Sequence, residues 1–107
     1  MKNNKIVIYS KKDCIYCQKA IKLLKTINVK YDEIKLNIEN KEHQEWIDEL
    51  KIMYNHHTFP FITVKLYNSN NSSIEDRFIG GYTELERAYN TMYLHTLVEV
   101  EDDYIIF

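Results

Sequence analysis

Between polar flanks, residues 5–9 form a short run of mostly apolar, β-branched side chains, Lys5-Ile6-Val7-Ile8-Tyr9, the pattern of a central strand covered on both faces. The polar stretch Ser10-Lys11-Lys12-Asp13 reads as a loop, with Asp13 placed to cap a helix that begins directly after it. Over residues 15–27 the apolar positions Cys17, Ala20, Ile21, Leu23, Leu24 and Ile27 recur at helical spacing, while Lys19, Lys22 and Lys25 face outward. Asn28 ends that helix, and residues 31–38 alternate as a second strand. A second helix is predicted over 41–54 with Trp46, Ile47, Leu50 and Met53 on one face; the polar break Asn55-His56-His57-Thr58 then leads to Pro60. Strands are predicted over 61–67 and 75–79, joined by the turn-rich segment 68–73. Thr83 reads as the cap of a third helix over 84–97, with Leu85, Ala88, Tyr89, Met92 and Leu97 inward.

Two strands joined by a helix make a βαβ unit, whose strands are parallel and whose crossover is right-handed. The turn after the first strand therefore lies at the carboxyl edge of the sheet, where open α/β sheets bind ligands. At that turn stands Cys14-Ile15-Tyr16-Cys17, which holds the two cysteines of the chain. On the first turn of a helix, two sulfurs at this spacing can close a small ring, or one thiolate can be stabilised by the unsatisfied N–H groups and the macrodipole. Cys14 is the candidate nucleophile and Cys17, one turn inward and less exposed, the candidate resolving thiol. The polar residues before Cys14 predict that its sulfur is accessible. A zinc site is disfavoured, because it needs about four ligands and His56 and His57 are adjacent instead of three to five residues apart.

The 107 residues suffice for one domain and one core. A hydrophobic fraction of 45% with 28% charged residues places the chain among folded globular proteins. The formal net charge of -2 gives no electrostatic case for nucleic acid as a partner. The first residues lack the pattern of a secretory signal and no stretch is long enough to span a bilayer, so a cytoplasmic protein without membrane association is expected. Two cysteines at this spacing outside a secretory context argue for redox or metal chemistry over a structural staple. Gly80 and Gly81, the glycines of the chain, stand together, which marks backbone that takes positive φ or approaches a partner closely.

Three motifs in this order, Lys11-x-x-Cys14-Ile15-Tyr16-Cys17, Thr58-Phe59-Pro60 and Gly80-Gly81-Tyr82-Thr83-Glu84-Leu85, make the chain resemble the glutaredoxin family of the thioredoxin superfold from about Lys5 to Leu97. Thioredoxin itself fits less well, since Asp13 and Ile15-Tyr16 stand where it carries Trp and Gly-Pro. The resemblance implies a four-stranded mixed sheet flanked by three helices in the order β-α-β-α-β-β-α. The domain is expected over 1–98, followed by a tail over 99–107 that is acidic and then apolar. The resemblance also implies glutathione as reducing co-substrate and a set of contacts to it. Pro60 matches the family's cis-proline, and Phe59 before it would offer its backbone to the glutathione peptide. Lys11 would attract the glycine carboxylate and support the Cys14 thiolate. Gly81, Thr83 and Glu84 match the segment whose helix-start N–H groups receive the γ-glutamyl carboxylate, with Glu84 facing the amine. Tyr16 would wall the groove.

The chain departs from the family pattern at Ile15, where dithiol members often carry Pro, and at Phe59, where a small β-branched residue is usual. Segment 68–76 and the tail lie outside that pattern. The activity implied is glutathione-dependent reduction of protein disulfides and glutathione mixed disulfides by a monomer, with ribonucleotide reductase among the family's substrates. Two alternatives accompany it: a carrier reduced by thioredoxin reductase, and a non-enzymatic homodimer that shares an iron-sulfur cluster. No resident metal is expected on the first reading. In the tail, an acidic patch before Tyr104-Ile105-Ile106-Phe107 has the pattern of a docking peptide, but folding back onto an apolar face is favoured because an exposed apolar end is an aggregation liability.

Overall fold

A computed structural model describes residues 3–101. Along the chain it places β1 (Lys5–Lys11), α1 (Ile15–Thr26), β2 (Tyr31–Leu36), α2 (Lys41–Tyr54), β3 (Phe61–Tyr67), β4 (Ser73–Gly80), α3 (Tyr82–Asn90) and α4 (Tyr93–Leu97). The sheet order is β2-β1-β3-β4. β1 runs parallel to β2 and antiparallel to β3, and β3 pairs antiparallel with β4, so the sheet is mixed as expected.

Period-2 alternation in the two central strands divides the core between the faces of the sheet. Ile6 and Ile8 of β1 with Ile62 and Val64 of β3 meet Ala20, Leu24 and Ile27 of α1, Leu85 and Ala88 of α3, and Leu94 and Leu97 of α4. On the other face Phe61 packs with Leu36 and with Ile47 and Leu50 of α2, bordered by the partly buried rings of Tyr9, Tyr54, Phe59 and Phe78. Ser10, buried at the end of β1, donates to Glu33 Oε2 at 2.6 Å, which satisfies its hydroxyl.

Several local expectations shift. β1 continues two residues past Tyr9, because Ser10 and Lys11 find ladder partners in Lys35 and Leu36 of β2, and β2 stops at Leu36. Trp46 and Met53, predicted on the buried face of α2, are 39% and 65% exposed. That helix covers the sheet with a narrow stripe around Ile47 and Leu50, and Trp46 lies edge-on to Tyr9 at 5.8 Å. The third helical stretch begins at Tyr82 and is divided at Thr91 and Met92, so Thr83 lies inside α3 and does not cap it. Met92 takes φ 68, outside the helical region, and is 49% exposed where the spacing predicts burial. Asn28 and Asn55 close α1 and α2 in left-handed conformations that asparagine tolerates. After α4 the chain packs onward: Val98 is buried, Val100 lies against the main cluster, and Asn28 Nδ2 donates to the Glu101 carbonyl at 3.0 Å. The apolar end Tyr104-Phe107, and with it the fold-back expectation, lies outside the described residues.

Candidate active site

β1 delivers the chain to the carboxyl edge of the sheet at Lys11, and Lys12 and Asp13 turn it into α1. Asp13 has φ 58 and makes the turn instead of capping the helix. The N-cap is Cys14 itself, with φ -116 and ψ 105, and its Sγ accepts from the Cys17 N–H at 3.2 Å. Cys14 and Cys17 are joined as a disulfide with Cα atoms 5.2 Å apart. Cys14 is 7% and Cys17 2% exposed. The order is the predicted one, but Cys14 is far more covered than its polar neighbours imply. An N-cap side chain folds back over the first helical turn, and it is Ile15 and Tyr16 that stand out, at 67% and 55%. Cys17, Ala20 and Leu24 on the inner face tie α1 to the large cluster, which fixes the position of both sulfurs.

A groove of about 290 Å³ is lined by Tyr16, His56, Thr58, Phe59, Gly81, Tyr82, Thr83 and Glu84. It gathers Tyr16 of the Cys-x-x-Cys segment, Phe59 of the proline motif and the start of α3 in one place. The Phe59–Pro60 peptide is cis and Pro60 is buried at the entry to β3. Gly80 takes φ +131, and a Cβ there would stand 2.6 to 2.7 Å from Cγ, Cβ and Oε1 of Glu84. Gly80 thus supplies both the left-handed turn and the room for the Glu84 side chain. Gly81 is extended, with φ -98, and is the N-cap of α3. With no side chain of its own to cap the helix, it donates its N–H to Glu84 Oε1 at 2.7 Å. The N–H groups of Tyr82, Thr83 and Glu84, in the first turn of α3, have no intrahelical acceptor and carry the positive end of the helix dipole.

Lys11 does not line this groove. It borders a neighbouring hollow of about 580 Å³, together with Lys12, Asp13, Lys35, Leu36, Asn37, Ile38 and Glu39. Its Nζ lies 5.4 Å from the centre of the ring of Phe59, which lines the groove. Among the described residues no group of three or more His, Cys, Asp or Glu is placed to hold a metal ion.

Three groove residues, Thr58, Tyr82 and His56, are not among the site residues that the sequence picks out. Tyr82, inside the Gly-Gly motif, faces Tyr16 with ring centres 6.2 Å apart, and Lys19 Nζ lies 5.2 Å from the Tyr16 ring and 5.9 Å from the Tyr82 ring. The Tyr82 hydroxyl donates to Glu86 Oε2 at 3.0 Å; that hydrogen bond, then burial and the charge of Glu86, raise its pKa. The i, i+4 spacing of Tyr82 and Glu86 is a signal the sequence carried. His56 reads locally as part of a polar break, and no local pattern places it in the groove. Its ring is set there by edge-on contacts with Phe61 and Phe78, with centres 5.1 and 5.3 Å away.

Known proteins give the geometry its context. Residues 6–65 match the glutaredoxin family model. Mouse (Mus musculus) "Glutaredoxin-2, mitochondrial" is 33% identical over 96 residues, which are 90% of this chain and 54% of that protein, so the chain spans about half the length of this curated relative. The solution structure of a dithiolic glutaredoxin from Trypanosoma brucei brucei is 30% identical and superposes with a TM-score of 0.63, covering 90% of this chain and 88% of that one. A buckwheat glutaredoxin–glutathione complex superposes with a TM-score of 0.69 at 20% identity, over 91% of this chain and 78% of that one, a likeness of fold. With its disulfide at the first strand-to-helix turn, its cis-proline and the glycine N-cap of α3, the chain belongs to the glutaredoxin family.

Proposed function

We propose that the protein is a glutathione-dependent thiol-disulfide oxidoreductase that reduces glutathione mixed disulfides and protein disulfides. One observation carries the reading: a Cys14–Cys17 pair at the N-terminus of α1, with Tyr16 from the same turn walling a groove that ends on the N-terminus of α3. In the reduced protein a Cys14 thiolate faces the Cys17 N–H and the first turn of α1, which stabilise its charge. It attacks the glutathionyl sulfur of a mixed disulfide, the protein thiolate leaves, and a Cys14–glutathione disulfide forms. A second glutathione thiolate attacks the glutathionyl sulfur, releasing oxidised glutathione and the Cys14 thiolate. For a protein disulfide, Cys14 forms a mixed disulfide with the substrate, and the Cys17 thiolate attacks the Cys14 sulfur; the substrate thiolate leaves and the Cys14–Cys17 disulfide remains.

Bound glutathione directs its γ-glutamyl end to the start of α3, beside Gly81, where the N–H groups of Tyr82, Thr83 and Glu84 and the Glu84 carboxylate receive it. Phe59 and Tyr16 flank its peptide, and Lys11, across Phe59, attracts the glycine carboxylate. Family membership supports the choice of glutathione, and the buckwheat relative has been crystallised with it. Turnover of a glutathione mixed disulfide by wild type, Cys14→Ser and Cys17→Ser tests the reading, with glutathione and with thioredoxin reductase as alternative reductants. Activity that needs glutathione and vanishes in Cys14→Ser is expected; wild type inactive with glutathione overturns it. Disulfide-bearing proteins, oxidised ribonucleotide reductase among them, are the proposed partners of a monomer acting in the cytoplasm, where thiols are kept reduced. The name of the mouse relative assigns that protein to the mitochondrion, and cell fractionation distinguishes the two compartments.

A further inference from the structure

His56 belongs to none of the motifs, yet its imidazole is one of the more firmly placed groups in the groove. Its ring is half-buried and held edge-on by Phe61 and Phe78. The nitrogen edge is turned the other way, into the groove: Nε2 lies 3.6 Å and Cε1 3.5 Å from the point where a Cβ on Gly81 would stand. Glu84 Oε1 lies 3.4 Å from that same point. The absent Gly81 side chain therefore leaves a small hollow bordered by both a carboxylate and an imidazole. Thr58 Oγ1 lies 3.5 Å from Nε2, at the limit of a hydrogen bond, a weak contact that leaves the nitrogen able to serve a ligand.

A carboxylate beside a hydrogen-bond donor matches a ligand end that carries an ammonium and a carboxylate on one carbon. An imidazole with its proton on Nε2 donates to such a carboxylate, while Glu84 accepts from the ammonium. We propose that His56 is a binding residue of the groove, donating from Nε2 to the α-carboxylate of the γ-glutamyl end of glutathione. The assignment rests on the glutathione reading above. It makes recognition of that end a three-sided clamp of the α3 N–H groups, Glu84 and His56, and a thiol lacking an α-amino acid end gains nothing from it.

The test compares wild type with His56→Phe, which keeps the ring packing without a nitrogen, and His56→Gln, which restores a side-chain N–H donor. Steady-state turnover of a glutathione mixed disulfide gives KM for glutathione and kcat; reduction of the Cys14–Cys17 disulfide by dithiothreitol gives a rate that bypasses the groove. Loss of a hydrogen bond to a charged group predicts a KM about tenfold higher in His56→Phe, with kcat within about twofold, partial recovery in His56→Gln and an unchanged dithiothreitol rate. Wild-type KM in His56→Phe overturns the assignment, as does an equal loss in both reactions, which marks a structural role. Should His56→Phe not fold, His56→Gln and His56→Leu carry the same test, with retained KM in His56→Leu as the overturning result. Wild type that does not turn over with glutathione overturns the underlying reading as well, so the two failures are told apart.

Discussion

The two faces of the sheet are built from different side chains. Beneath α1, α3 and α4 lies a continuous aliphatic cluster whose members are almost fully buried. Beneath α2 the cluster is small, and its border is largely aromatic and only partly covered. Branched aliphatic chains interlock to crystal-like density and hold helices in fixed positions, whereas aromatic rings can be buried at one edge and open at the other. The aliphatic face accordingly anchors α1 and the sulfurs at its N-terminus. The aromatic face extends upward through Phe59, Phe61 and Phe78 to shape the groove and set His56. The position of the sulfurs comes chiefly from the aliphatic side, whereas the groove draws on both: Tyr16 and the start of α3 from the helices over the aliphatic cluster, His56 and Phe59 from the aromatic side.

Substitutions can break or sharpen that contrast. Cys14→Ser should lower glutathione-dependent turnover to the uncatalysed level while leaving the fold intact, which a coupled disulfide-reduction assay and circular dichroism report together. Leu24→Ala, in the aliphatic cluster, should cost about 2–5 kcal/mol in a denaturant titration and leave KM for glutathione unchanged wherever the protein remains folded. A raised KM in that variant would show that the aliphatic face also shapes the groove. Phe78→Leu removes the stack on Tyr54, with ring centres 4.4 Å apart, and one support of His56. It should cost only about 0.5–1.5 kcal/mol and yet raise KM severalfold; a stability loss equal to that of Leu24→Ala would erase the distinction.

Glu84→Ala removes the acceptor for the Gly81 N–H and should cost about 1 kcal/mol by thermal unfolding, with weaker glutathione binding by calorimetry. The smallest effect concerns pH. Tyr9 and Tyr54, on the aromatic face, have pKa values raised first by burial and then by neighbouring groups, including Asp76 in both cases. Their neutral form is favoured in the fold, so their contribution is full below the ordinary tyrosine pKa of about 10 and is lost as pH rises through the raised values, because both folded and unfolded states then carry the charge and the fold must bury it. Ultraviolet titration should show a late-ionising class that shrinks in Tyr9→Phe.

Much of this was legible along the chain. The helical period of 15–27, the match of α2 and β3 to their predicted spans, and the Cys-x-x-Cys at the first strand-to-helix turn are local patterns that need no distant partner. The misses share a cause. Asp13 has the side chain of a cap for α1, but the turn needs a residue with positive φ there, and Cys14 takes the cap. Trp46 and Met53 lie on an apolar stripe that is wider than the strip of sheet α2 covers. The division of the last helical stretch at Met92 lets Leu94 and Leu97 of α4 reach the aliphatic cluster, a demand set by the sheet and not by residues 84–97 alone.

The sequence by itself determined the paired cysteines, the order of elements up to the last helical stretch and the family, because cysteine spacing, hydrophobic period and the proline and glycine motifs act over a few residues. The tertiary structure alone decided that Lys11 and the α3 start border two separate spaces, that Cys14 is nearly covered, and that His56 and Glu84 both come close to Gly81. Those are distances between segments tens of residues apart, fixed only when strand pairing and core packing bring them together.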